Sequence, residues 1–374
     1  MKTRVPALVV LVAAFLAGGY PSSVASYLAA ATWLTLALLA TWWPPPVPSR
    51  AVLALIALAA LTLLSALWGR TGEVLHVVPL PVLYAGLLYA TEWAGPRSAD
   101  ALRPVIVILA AAGIIGRATG LAAPSLEPGS SRMAWPIGYA NGLGLLCAIG
   151  VILCASSRRW WPGAAVCGIA LVWTLSRSAI VAGAAGLSLL APRRLQLAAA
   201  MVLAIVAVLV ARPVYQHFQS PARDTRGVTR LATVSGHGRT HLWRAALHEG
   251  EQHPVAGGGA GSWRREATGR HLPANAHSLE LETFAELGVL GLAALGAFFI
   301  AVPRRGALFA AFAAWLLVSA IDWDWQLPAV TGAAVICAGS LTGTRRRLAS
   351  GVAVSAVALA IGVAVLADTV LGYA

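Results

Sequence analysis

The sequence predicts an all-α polytopic membrane protein, with about 12–13 transmembrane helices and one long extracytoplasmic loop containing short helices. Three observations carry that prediction. The 374-residue chain is 59% hydrophobic and only 11% charged, whereas a soluble globular chain is roughly 45–50% apolar and about 25% charged. Apolar stretches of bilayer-crossing length recur from end to end. The cationic residues collect in alternate connections, as the orientation rule for lysine and arginine requires.

A crossing needs about 20 apolar residues. In chain order such stretches fall at roughly 5–20, 24–43, 51–68, 75–92, 104–123, 134–155, 160–175, 178–192, 195–211, 283–302, 306–321, 326–343 and 349–370. The first follows Lys2 and Arg4 and is similar to a secretory signal, but further apolar segments follow at once, so it reads as an uncleaved first span. With the N-terminus in the cytoplasm and sides alternating, the inner segments hold Lys2, Arg4, Arg50, Arg97, Arg103, Arg158, Arg159, Arg193, Arg194, Arg304, Arg305, Arg345, Arg346 and Arg347. The short outer loops hold Arg70, Arg132 and Arg177, and most carboxylates fall there too: Glu73, Glu127, Asp322 and Asp324. The net charge of +13 is therefore mainly a cytoplasmic-side feature, which fits a plasma-membrane protein and argues against nucleic acid as a partner. Trp42, Trp43, Trp68, Trp93, Trp135, Trp160, Trp161, Trp323 and Trp325 lie near span ends, as an interfacial aromatic belt does.

The connection at 212–282 breaks the pattern of short loops. It is polar, and it carries seven of the eight histidines. Long loops are uncommon and tend to be functional. The chain thus divides into N-terminal spans over 1–211, an extracytoplasmic loop over 212–282 and C-terminal spans over 283–374. Within the loop, RTHLWRAALHEGEQHP (239–254) predicts an amphipathic helix with Trp243, Ala246 and Leu247 on one face, stopped by Pro254 and the glycines after it. Ser278 is placed to cap the following helix, with Glu280 and Glu282 in its first turn where acids favour the dipole.

Several motifs point elsewhere and fail on spacing. HEGEQH resembles a zinc-protease motif, but His248 and His253 are five apart, and five residues turn a helix by about 500°, onto different faces. His237 and His241 are four apart but have no third ligand, so the loop predicts no metal and no cofactor. GGGAG (257–261) lacks the ending of a phosphate-binding loop and has no βαβ context. The four cysteines all fall in apolar segments and form no CxxC pair, so they read as small core residues. Arg177 lies in a very short outer hairpin between two apolar helices, and Arg117 lies inside another apolar run. Each is either a guanidinium in a functional cavity or a snorkelling interfacial arginine; position alone leaves both readings open.

SRSA (176–179), GRTHLWRAAL…HPVAGGGAGSW (238–263) and AHSLELETFAELGVLGL (276–292) occur in that order and resemble the O-antigen ligase family. GYANGLG (138–144) is similar to that family's Asn-Gly start of an earlier span. The resemblance covers about residues 134–300, with Ser278 where the family usually has Asn. It implies a GT-C-like all-helical fold and a metal-independent glycosyltransferase. Such an enzyme moves a glycan from a polyprenyl-diphosphate carrier to a hydroxyl on a glycan or lipid-glycan acceptor outside the membrane. Carried over by motif, Arg177 and Arg239 would hold the diphosphate and His277 would stand beside the acceptor, with Arg244, His241 and Glu286 as further substrate contacts. The chemistry is consistent: guanidinium forks match phosphate oxygens and stay charged, and an attacking hydroxyl needs a base such as histidine. A polysaccharide polymerase shares that donor chemistry. A secondary transporter is the competing class, but it places charges near the midplane, whereas here the polar residues gather at one face. A non-enzymatic scaffold is the third reading.

Overall fold

The structure is a computed structural model, and it describes residues 4–120, 126, 132–192, 196, 238–343 and 346–371. Apart from Gln196 the predicted ninth span lies outside the described residues, as do 212–237 with His237, and also Lys2, Glu127, Arg193, Arg194 and Arg345. Among the described residues there is no strand; one isolated bridge joins Pro46 to Arg347.

The other predicted spans are helical. In chain order the helices are α1 (Val5–Phe15), α2 (Ser22–Trp42), α3 (Arg50–Leu64), α4 (Thr71–Val77), α5 (Pro79–Ala94), α6 (Leu102–Thr119), α7 (Ala140–Ala155), α8 (Trp161–Trp173), α9 (Arg177–Ser188), α10 (Arg239–Gln252), α11 (Ser262–Gly269), α12 (Leu279–Ala301), α13 (Gly306–Ser319), α14 (Pro328–Thr342) and α15 (Val352–Leu371). Their ends follow local chemistry. Ser49, Ser176 and Ser278 cap α3, α9 and α12 with their side-chain oxygens, and proline opens α5 and α14, where its missing N–H costs nothing.

Among the described residues, six helical segments are long and apolar enough to cross a bilayer: Ser22–Trp42, Arg50–Leu67, Thr71–Ala94, Pro96–Thr119, Leu279–Ala301 and Val352–Leu371. The chain is an all-α polytopic membrane protein. The remaining apolar helices are shorter than the spans expected at those places. Two of them, α7 and α14, are buried along nearly their whole length, so they are apolar on all sides and need not match the bilayer themselves. Small residues allow the close packing: a Cβ on Gly339 would sit 2.8 Å from that of Thr91, and one on Gly86 would meet the Trp33 ring. The sixth predicted span, begun at 134, becomes helical only at Ala140, after Pro136 and Gly138.

The connections segregate to two ends. At one end Tyr89 Oη donates to the Pro46 carbonyl at 2.9 Å, and Val47 N–H to the Arg346 carbonyl at 3.0 Å. There the buried Glu92 carboxylate accepts from the Ser49 amide and from Thr342 Oγ1. At the other end Tyr139, Arg239 and the 320–327 connection meet, and the Ala260 amide donates to Ser65 Oγ at 3.0 Å.

A break in α12 docks the long loop. Gly288 leaves the helix at φ 61° and ψ −156°, a conformation open to glycine alone. The amides of Val289 and Leu290 then bond to the carbonyls of Pro254 and Val255, and Gly258 and Gly259 N–H bond to those of Ala285 and Glu286. Gly257 lies so close that a Cβ there would collide with the Glu286 backbone. The glycine cluster is therefore a close-packing turn against α12.

Candidate active site

At the end where the loop docks, α10 begins with Gly238 in the left-handed region and Arg239 as its first residue. Arg239 Nη2 donates to Asp322 Oδ2 at 2.9 Å. Asp322 is wholly buried and its oxygens are well occupied: Oδ2 also accepts from Asn141 Nδ2 at 2.7 Å, and Oδ1 from Tyr139 Oη at 2.8 Å and the Trp323 amide at 2.9 Å. Burial alone would push the Asp322 carboxyl up, but Arg239, His277 and these donors outweigh it and hold it below the usual carboxylate range. Burial likewise opposes the Arg239 charge, and Asp322, with Tyr139 and Asp324, more than restores it.

The network reaches one more arginine. Arg132 Nη2 bonds to the Asn141 carbonyl oxygen, and its Nε donates to the Thr174 carbonyl at 2.9 Å. Two residues on, Ser176 caps α9, which makes Arg177 the first residue of that helix. Gly144 gives the Thr174–Ser176 turn room, since a Cβ there would crowd Thr174 Oγ1 and Ser176.

His277 lies across the Arg239–Asp322 pair, and both charges act on it. Its backbone is left-handed at φ 55°, which histidine tolerates better than most residues. Trp243 Nε1 donates to its carbonyl at 3.2 Å. Nδ1 stands 3.2 Å from the Asn275 carbonyl. A carbonyl only accepts, so Nδ1 carries the proton and Nε2 presents a lone pair. Burial holds the His277 pKa below 6.5; Asp322 raises it and Arg239 lowers it.

Glu282, one turn into α12, fixes this segment. Oε2 accepts from the Ala276 amide at 2.7 Å, Oε1 from Gln326 Nε2 at 2.9 Å, and Gln326 Oε1 accepts from Asn275 Nδ2 at 3.1 Å. The His277 segment and the Asp322 connection are thereby tied together.

The sequence-derived residues thus separate. Arg239 and His277 converge on Asp322, and Arg177 opens α9 three residues after the Thr174 carbonyl that Arg132 takes. Arg244 and His241 are exposed on α10. Glu286 is buried behind the glycine turn, where its carboxylate takes the Gly261 and Trp263 amides. The buried face of α10 is Leu242, Ala246, Glu249 and Gly250, while the expected face member Leu247 is 43% exposed. Arg117 is exposed in the last turn of α6, in the snorkelling position. Trp323 leaves the expected belt for the interior, against the rings of Tyr139 and Tyr20. The four cysteines are buried and free.

Asp322, Tyr139, Arg132 and Gln326 were not singled out by sequence reasoning. The available signal was the pair of acids in IDWDWQ between two apolar stretches, a costly place for two carboxylates without partners. No group of three His, Cys, Asp or Glu side chains is placed to share a metal ion among the described residues.

Residues 143–296 match the family model for O-antigen ligase. No curated protein matches the chain.

Proposed function

We propose that the chain, whose residues 143–296 match the family model for O-antigen ligase, acts as a member of that family and transfers a glycan from a polyprenyl-diphosphate carrier to an acceptor hydroxyl at the outer face of the plasma membrane. In this reading the end of the bundle that carries Arg239 and His277 faces outward, with the N-terminus in the cytoplasm. One observation carries the proposal: a histidine with a bound Nδ1 proton feels an arginine ion-paired to a buried carboxylate, and the same network takes in Arg132.

The acceptor oxygen attacks the anomeric carbon while the bond from that carbon to the diphosphate oxygen breaks. The electron pair leaves with the diphosphate. The hydroxyl proton passes to His277 Nε2, which is free because Nδ1 holds its own proton against Asn275. A ring kept neutral near pH 7 by burial is ready to accept it. Arg239 and Arg177 hold the departing diphosphate. Charge-assisted bonds to its oxygens strengthen as negative charge collects there, and that difference lowers the barrier. Asp322 keeps Arg239 extended toward the site, and its own oxygens are occupied by Arg239, Asn141, Tyr139 and a backbone amide.

The test is purified protein with a polyprenyl-diphosphate glycan and an acceptor, wild type against His277→Ala. Release of polyprenyl diphosphate by wild type and its loss in the variant is expected. Undiminished release by the variant would remove His277 as the base. A ladder of lengthening glycans would identify a polymerase; a single transfer to a different acceptor, a ligase.

A further inference from the structure

The cleft between α4 and α11 plays no part in that transfer. It is a pocket of about 420 Å3 lined by Glu73, His76, Gly261, Arg264, Arg265 and Thr268, among others, within the size range of small-ligand sites. Its one carboxylate is committed. Glu73 takes Arg265 Nη1 at 2.8 Å, and Arg70 stands 4.0 Å away. Arg265 is thereby pinned as one wall. Arg264 is exposed and makes no ion pair among the described residues. Its charge acts on the buried Glu282 and Glu286 and on His76 from a distance, while its exposed donors face the pocket.

Its depth is set by two spans. Arg50–Leu67 ends just before it and Thr71–Ala94 begins in it, with Trp68, 43% exposed, between them. Glu73 and His76 belong to the first turns of the second span, so the floor lies where a bilayer has its headgroups. The roof is α11. It buries Ser262, Trp263 and Ala267 against α10 and α12 and turns Arg264, Thr268 and Arg270 to solvent, so its basic face is free to meet a ligand.

We propose that this cleft binds the phosphate of an anionic lipid headgroup, with Arg264 as the donor that closes on it and the Arg265–Glu73 pair as the fixed wall. A guanidinium forks onto two phosphate oxygens. The same chemistry would accept free phosphate. The lipid is the favoured source because the pocket opens at headgroup depth, where lipid phosphates lie at high local density. The site rests on this end of the bundle lying at a headgroup layer, and it is independent of the transfer chemistry at His277.

The experiment uses the full chain in maltoside micelles, titrated calorimetrically with dihexanoyl phosphatidic acid, dihexanoyl phosphatidylcholine and inorganic phosphate. Phosphatidic acid should bind, and Arg264→Gln should weaken it about tenfold through loss of one charge-assisted bond. Arg264→Lys, which keeps the charge but loses the fork, should recover only part of the binding, and Arg239→Gln should leave it unchanged. Equal binding by Arg264→Gln, or equal affinity for the zwitterionic lipid, would overturn the site. Inorganic phosphate binding as tightly as phosphatidic acid, with the same dependence on Arg264, would overturn the lipid assignment. Loss of transfer activity in Arg239→Gln with lipid binding intact keeps the two readings separable.

Discussion

Arg239 and Asp322, 83 residues apart, share an ion pair of 2.9 Å whose acidic member is wholly buried while the guanidinium keeps 18% of its surface. The pair is closed toward the bundle and open toward the site. Asp322→Ala would strand a largely enclosed guanidinium, and breaking such a pair costs about 3–5 kcal/mol. The thermal melt of the detergent-purified variant should drop accordingly. An unshifted melt would mean that Asp322 does not anchor the loop.

Arg239→Ala and Arg177→Ala should abolish transfer while both variants still insert and purify. Arg239→Lys should rescue little, because an ammonium cannot make the forked contact with phosphate. Wild-type turnover in either alanine variant removes that residue from the site.

The pH profile follows from His277. The base is the neutral ring, so kcat/KM should rise with pH through a midpoint below 6.5 and stay level above it. Asp322 raises this pKa and Arg239 lowers it, so residual activity in Asp322→Asn should show a lower midpoint and in Arg239→Gln a higher one. A midpoint that ignores both substitutions would assign the titration to another group.

Transfer should persist in EDTA, since the proposal gives the diphosphate charge to arginines. Loss in EDTA with recovery on adding magnesium or zinc would reverse that assignment.

Glu282→Gln should act on His277 without touching substrate. The amide puts an N–H against either the Ala276 amide or Gln326, where the carboxylate accepted from both. Loosening the His277 segment should lower kcat by about tenfold with little change in KM. Equal loss in KM would point to substrate binding instead.

The polytopic class was legible because hydropathy is a local property, and twelve of the thirteen expected stretches carry helices among the described residues. Arg239 and His277 could be proposed from the sequence because each stands in a recognisable short motif, and the fold brings both to Asp322. Asp322 was not, because its importance arises from partners at 139, 141 and 239 that only the fold assembles. Glu286 illustrates the opposite limit. A carboxylate at the head of a span reads as a site residue, but here it satisfies the amides of Gly261 and Trp263. The burial of Trp323 was hidden for a related reason: its ring packs on Tyr20, some three hundred residues away in sequence.

The break at Gly288 makes the N-terminal part of α12 and the segment at Pro254–Gly259 a single mechanical unit. Four main-chain bonds cross between them, two in each direction, so neither can slide along the other without exposing bare amides to an apolar surround. Any force that pulls on α10 is therefore passed to α12 close to the first turn that carries Glu282. The position of His277 is registered against a transmembrane element, and lengthening the glycine turn by one residue would shift the histidine out of alignment even though no residue near it had changed.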